Sequence, residues 1–330
     1  MENIDFVVTW VDGNDAEWLA ERAQYMPTEI NTGNAENRFR DWGLMKYWFR
    51  GIEKYAPWVN NVYFVTWGHY PDWLNLKHPK LKLVKHTDYI PQEYLPTYNT
   101  NVIELNVHRI KELSERFVLF NDDTFLIDAV NPDDFFIDNL PCEVARMNAV
   151  NSSDPRNVFP HMLLNNIAII NKHFRKRTVL RTYFKKFYTL KYGVDLIRNI
   201  LLAPFKYFSS FHDTHLPASH LKITFDEVWE AEPEVLHECC THRFREMNDV
   251  TSWLMKWWRF CKGEFAPRSI KWGKCFEIGQ DIGMIDAIKK QEYKAICVND
   301  SNPDLDFEHY QKALTEAFEM ILSEKCSFEL

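Results

Sequence analysis

A chain of 330 residues, 46% apolar and 15% aromatic, can bury one large core or two ordinary ones. Its formal net charge of −8 gives no general case for nucleic-acid binding. It has only ten glycines and neither a Walker pattern nor GxGxxG, so a bound phosphate must be held by metal, Arg, Lys or His.

Seven scattered cysteines without a CxxC pair fit reduced thiols in a reducing compartment. HECCTH, with His237, Cys239, Cys240 and His242, matches no common zinc spacing. The first residues, MENIDFVVTW, lack the basic start and small-residue cleavage site of a signal peptide. No run approaches the roughly 20 apolar residues of a spanning helix. The expectation is a cytoplasmic protein, at most peripheral on the inner face of the cell membrane.

In chain order, residues 4–11 (IDFVVTWV) read as a strand apolar on both faces, ending in Asp12-Gly13-Asn14-Asp15. Residues 38–55 carry apolar side chains at helical spacing up to Pro57. Residues 62–67 (VYFVTW) and 81–84 read as further strands, the first ending at Gly68-His69. Residues 99–116 read as a helix with Val102, Leu105, Ile110 and Leu113 inward. It leads into FVLFNDDTFL at 117–126, a buried strand that stops at Asn121, Asp122 and Asp123. Residues 167–170 and 295–298 are two more strand-like runs, ending at Asn171 and at Asn299-Asp300.

This alternation predicts βαβ units, a mostly parallel Rossmann-like α/β sheet flanked by helices, and a site beyond the carboxyl ends of its strands. Asp12, Asp15, His69, Asp122, Asp123, Asn171 and Asp300 are the polar residues expected on that rim. One catalytic domain is expected over 1–330. Its core is 1–171, then comes a mainly helical insertion at 172–270, and 271–330 return to the sheet and a closing helix.

Residues 172–206 hold ten Lys or Arg against one acid, Asp195, with aromatics interleaved. A solvated helix face, an anionic membrane surface and an anionic polymer all remain open as readings. Downstream, FHDTHLPASH brings three histidines, and HRFREMND brings Arg243, Arg245 and Asp249 ahead of Trp253, Trp257 and Trp258. A histidine near a carboxylate can act as a base, and arginine grips phosphate in a bidentate way. Spacing alone does not choose among the three histidines.

The sequence resembles the Stealth proteins, sugar-phosphate transferases of bacterial capsule and exopolysaccharide synthesis. That family includes the catalytic subunit of the eukaryotic N-acetylglucosamine-1-phosphotransferase. The resemblance is carried by four ordered blocks. They are IDFVVTWVDGND; RFRD through IEKYAPWV, VYFVTWG and LPTYNTNVIELNVHRI to LSERFVLFNDDTFL; HLP with HRFREMND; and CVND, followed by a closing SFE. The family usually has Asn where this chain has Trp42, and often Asp or Asn where it has Trp67.

The resemblance implies transfer of sugar-1-phosphate from a nucleotide-diphosphate sugar, typically UDP-N-acetylhexosamine, to a hydroxyl of a saccharide acceptor or growing polymer. It implies magnesium or manganese held by Asp122, Asp123 and Asp300. Catalysis falls to His215, Arg245 and Asp123. Thr9, Trp10, Val11, Asp12, Arg38, Asp41, Asn99, His108 and Arg109 are expected to bind or brace the donor. The resemblance implies a GT-A-like version of the sheet, and a GT-A-type glycosyltransferase releasing nucleoside diphosphate is the alternative within the same fold. A non-catalytic carbohydrate- or polyanion-binding module is the alternative outside enzymes.

Overall fold

Side chains of a strand alternate between faces, so a run apolar at every position must be covered on both sides. In the computed structural model, which describes residues 3–28 and 31–330, the first half contains β1 (Ile4–Thr9), α1 (Ala16–Tyr25), α2 (Met45–Tyr55), β2 (Val62–Thr66), β3 (Leu81–Lys85), α3 (Thr100–Leu105), β4 (Arg116–Phe120), β5 (Thr124–Leu126), β6 (Phe136–Ile137), β7 (Leu140–Glu143) and α4 (Val158–His173). The second half contains α5 (Lys176–Thr182), α6 (Phe184–Phe187), α7 (Leu196–Leu202), β8 (Ala218–Leu221), α8 (Lys222–Ala231), α9 (Pro233–Thr241), α10 (Trp253–Lys262), β9 (Ala266–Pro267), β10 (Gly273–Glu277), α11 (Met284–Lys289), β11 (Ala295–Asn299) and α12 (Phe307–Ile321).

The main sheet has the order β3-β2-β1-β4-β8. Its first four strands are parallel, and β8 closes the edge antiparallel to β4. Phe6, Val8, Val62, Phe64, Val118 and Phe120 enter one core. Their neighbours Val7, Tyr63, Val65, Phe117 and Leu119 enter the other, on the opposite face. The mixed, mostly parallel α/β architecture is therefore the expected one. Residues 172–270 are mainly helical and also contribute β8 to this sheet.

Three local expectations are corrected. The periodic stretch 38–55 is helical only from Met45; residues 36–39 form a short 3-10 turn, and Asp41 accepts a bond from the Gly43 amide. Arg38 thus lies in that turn and Asp41 in the irregular chain ahead of α2. The helix expected over 99–116 ends at Leu105, where Asn106 turns its side chain back onto the Val102 carbonyl. Residues 167–170 lie inside the 16-residue α4, because a short apolar run alone does not separate strand from buried helix. Asn171 exchanges hydrogen bonds with the Phe208 backbone, so it is not a strand-tip residue.

The run 295–298 is a strand, as expected, but belongs to a second, three-stranded sheet, β10-β11-β5. There β5 pairs antiparallel to β11, with Thr124 opposite Cys297. The chain leaves the main sheet after β4 and enters the small one at β5. Asn121, Asp122 and Asp123 are the corner between the two sheets.

Candidate active site

The carboxyl ends of β1 and β4 and the loop after β11 open into one cleft. Three connected lobes, of about 600, 860 and 1490 Å³, share Arg38 and Asn299 along their walls. Asp41, Asp122, Asp123 and Asp300 line the first lobe. Thr9, Trp10, Val11 and Arg38 line the second, with His215 and Arg245. The third runs between Arg245, His215 and the amino-terminal half of α4.

Carboxylates crowd the first lobe. Although Asp122 reaches solvent, desolvation by the protein crowded around it, then the charges of Asp123 and Asp41, push its carboxyl up to about 7. Burial also raises Asp41 and Asp300. Asp123 Oδ1 is buried without a hydrogen-bond partner among the described residues. Side chains arranged this way favour a cation.

His215 comes from the loop ahead of β8 and has a positive φ of 46°. Its amide donates to Asp213 Oδ1, and Asp213 Oδ2 in turn pairs with the buried Lys256 at 2.8 Å. This buried ion pair fixes the loop, and Nε2 of His215 lies 3.3 Å from Asp123 Oδ2. Burial would lower the imidazole, but the Asp123 carboxylate overrides it and raises the group to about 10. Cys297 Sγ lies 3.4 Å from the same carboxylate oxygen. Among the described residues, Asp123, His215 and Cys297 are the three ligand-type side chains that converge within 4.8 Å. Asp300 lines the lobe but is turned to Arg40, 3.3 Å away.

Arg245 is held by neutral oxygens. Its guanidinium donates to the Gly33 carbonyl at 2.9 Å and to Thr100 Oγ1 at 2.8 Å. A Cβ on Gly33 would meet Val158 Cγ2 at 2.6 Å, so only glycine lets this turn lie so close. Burial, with Arg38 nearby, lowers the Arg245 pKa. Two neighbouring cations with no carboxylate bonded to either among the described residues form an anion site.

The structure separates the remaining expected residues. Asn99 is fully buried and donates to Asp249 Oδ2 at 2.8 Å, so it braces the loop that carries Arg245. The same oxygen receives Asn101 and the Glu246 amide, and Oδ1 receives His242 Nδ1 at 2.7 Å. Asp12 works within its turn: its amide donates to His69 Nε2 and its carboxylate accepts from the Asn14 amide. Asp15 caps α1. His108 and Arg109 are not among the residues lining the three lobes. They pack on Phe225 and Trp229, because the end of α3 swings them to the far side. Trp42 lines the first lobe, whereas Trp67 packs behind the second with Trp18 and Tyr98.

Sequence reasoning missed Asp213, Lys256 and Cys297, and also Glu104, a buried carboxyl on the wall of the third lobe that accepts from Ser252 Oγ. Asp213 lies two residues before His215, which was a usable signal. Lys256 sits in an apolar helix, where a fully buried lysine signals a paired charge. The four cysteines and histidines of HECCTH form no cluster: Cys239 and Cys240 are buried thiols, and His237 bonds to Tyr94.

A mostly parallel sheet with clustered carboxylates, an imidazole and two guanidinium groups at its carboxyl edge defines an α/β enzyme built to handle phosphate. The comparisons narrow that class. Residues 2–29 match the Stealth protein conserved region 1 and residues 38–143 its conserved region 2. A capsular polysaccharide phosphotransferase, WcwK of Streptococcus pneumoniae, is 44% identical over 333 residues, covering 100% of this chain and 98% of its own. The exopolysaccharide phosphotransferase cps2G of Lactiplantibacillus plantarum is 40% identical, covering 99% and 96%. The receptor polysaccharide phosphotransferase WefC of Streptococcus gordonii is 40% identical, covering 100% of both. Among solved structures, an active-site mutant of LgtC covers 94% of this chain and 95% of its own, at 8% identity and a TM-score of 0.39. The chain belongs to the Stealth family. It is an enzyme of the phosphotransferase class.

Proposed function

We propose that this enzyme transfers sugar-1-phosphate from a nucleotide-diphosphate sugar to a saccharide hydroxyl in capsule or exopolysaccharide synthesis. The observation carrying this reading is the juxtaposition of Asp123 with His215, 3.3 Å apart, in a cleft walled by Arg245 and Arg38. The acceptor oxygen forms a bond to the phosphorus that bears the sugar. The P–O bond of the diphosphate link breaks, nucleoside monophosphate departs, and the hydroxyl proton passes to His215.

Arg245 and Arg38 neutralise phosphate oxygens without a carboxylate competing for them. Asp123, beside His215, holds a proton on the imidazole at neutral pH; with a cation bound to Asp123 that hold would weaken, releasing the proton to solvent and leaving the neutral imidazole able to accept the hydroxyl proton. Asp122 and Asp123 would hold magnesium or manganese, and Asp300 would join them on leaving Arg40. That ion supplies charge neutralisation at the diphosphate. The acidic first lobe suits the ion and diphosphate, and the second, with Trp10 and Tyr98, suits the nucleoside. The wide third lobe suits an acceptor. Trp42 is placed to influence donor choice.

The test is product identity. Purified enzyme, a panel of UDP-, GDP- and CDP-sugars, magnesium and an oligosaccharide acceptor should release nucleoside monophosphate. Release of nucleoside diphosphate would make it a glycosyltransferase, and sugar binding without nucleotide release would make it a binding module.

A further inference from the structure

The segment between α6 and β8 concentrates exposed bulky apolar side chains that elsewhere in the chain occur singly. Leu190, Val194, Ile197, Ile200, Leu201 and Phe205 are all exposed, Leu190 at 89% and Val194 at 78%. Single exposed apolar residues are ordinary, but six bulky ones within sixteen positions are not. Nor is the segment loose. Asn199 is fully buried on the inner side of α7 and bonds the Ala145 and Phe187 carbonyls and the Met147 amide. Asp195 pairs with Arg146, and the buried Lys176 donates to the carbonyls of Leu202 and Tyr207. Polar anchors turned inward hold apolar side chains outward, which inverts the usual amphipathic helix.

Charge says what covers them. Residues 172–206 contain ten cations and a single acid, Asp195, which is already paired with Arg146. Lys172, Lys176 and Lys186 are bonded within the fold. Arg177, Arg181, Lys185 and Lys206 are exposed and carry no ion pair among the described residues. A second copy would bring like charges together. A surface offering insertable apolar side chains amid unpaired cations is complementary to an anionic bilayer. No helix among the described residues is long and apolar enough to cross a membrane.

We propose that residues 184–207 form an interfacial docking surface for anionic lipid, with Ile197, Leu201 and Phe205 entering the headgroup region. The segment is rooted beside the site. Phe211 bridges Met147, the His212 amide bonds the Arg146 carbonyl, and the chain then runs directly to Asp213 and His215.

Sedimentation with phosphatidylcholine vesicles, with and without phosphatidylglycerol, tests this without turnover, so the result stands apart from the transfer chemistry. The intact protein should partition at least about tenfold more strongly onto the phosphatidylglycerol vesicles, and high salt should weaken it. The exposed double variant Leu201→Ser/Phe205→Ser should lose about tenfold in binding with its melting temperature unchanged. Arg177→Glu/Lys185→Glu should abolish the preference for anionic lipid. Protein that stays in the supernatant with both vesicles overturns the proposal. So does binding that neither pair of substitutions changes, or a dimer in sedimentation velocity that Leu201→Ser/Phe205→Ser dissolves.

Discussion

Adjacent carboxylates in a wall of apolar strands persist only where a positive charge can answer them. Asp122 reaches solvent, yet crowding by surrounding protein and by Asp123 and Asp41 lifts its carboxyl to about 7, so it would have to lose a proton to bind the proposed metal. On the proposed metal role protons and metal would compete across neutral pH, and manganese affinity measured by calorimetry should rise about tenfold between pH 6 and 8. An affinity flat over that range would remove Asp122 from the site. His215 sits at a positive φ that asparagine tolerates, so His215→Asn tests its proton without breaking the loop. We expect kcat to fall by about 100-fold or more with donor KM nearly unchanged. Equal losses in both would make it a binding residue.

Among the elements, the HRFREMND loop shows how a buried polar network aims a surface cation. Asp249 receives four hydrogen bonds, and Arg245 is presented to the cleft by the backbone these bonds fix. Asn99→Ala leaves the buried carboxylate short of one donor. It should cost about 1–3 kcal/mol in urea denaturation, and donor KM should rise more than kcat falls. His242 carries a second signature. Its bond to Asp249 raises its pKa, so this contribution is complete below the ordinary histidine value and fades as pH climbs through the raised one. The melting temperature of the wild type should approach that of His242→Gln on going from about pH 6 to pH 9.

Across the molecule, the closing SFE motif serves the fold rather than the chemistry. Glu329 grips the buried Arg50 of α2 through two bonds, at 2.7 and 2.9 Å, and the Leu330 amide bonds the Trp73 carbonyl. This ties residues 328–330 to the helix covering the main sheet. Glu329→Gln removes the nearer carboxylate of the buried Arg50 and leaves it only that of the exposed Glu319, 3.5 Å away, and should cost about 1–3 kcal/mol in chemical denaturation, with the pH dependence of kcat unchanged.

Doubly apolar runs and the residues that end them belong to local pattern, and they were enough to place β1, β2, β3 and β4 and the carboxylates after them. Motif order gave the family, with His215 and Arg245 as its candidates. Pattern failed at 167–170, where four apolar residues suit a strand or a buried helix equally, and at 99–116, where one asparagine stops a helix. Distant partners had no local trace at all. That β5 would leave the main sheet for β11, that Asn99 would answer Asp249, and that His108 would swing away from the cleft depend on residues over a hundred positions apart or on packing. Burial and pairing are properties of the folded whole, whereas periodicity is a property of neighbours along the chain.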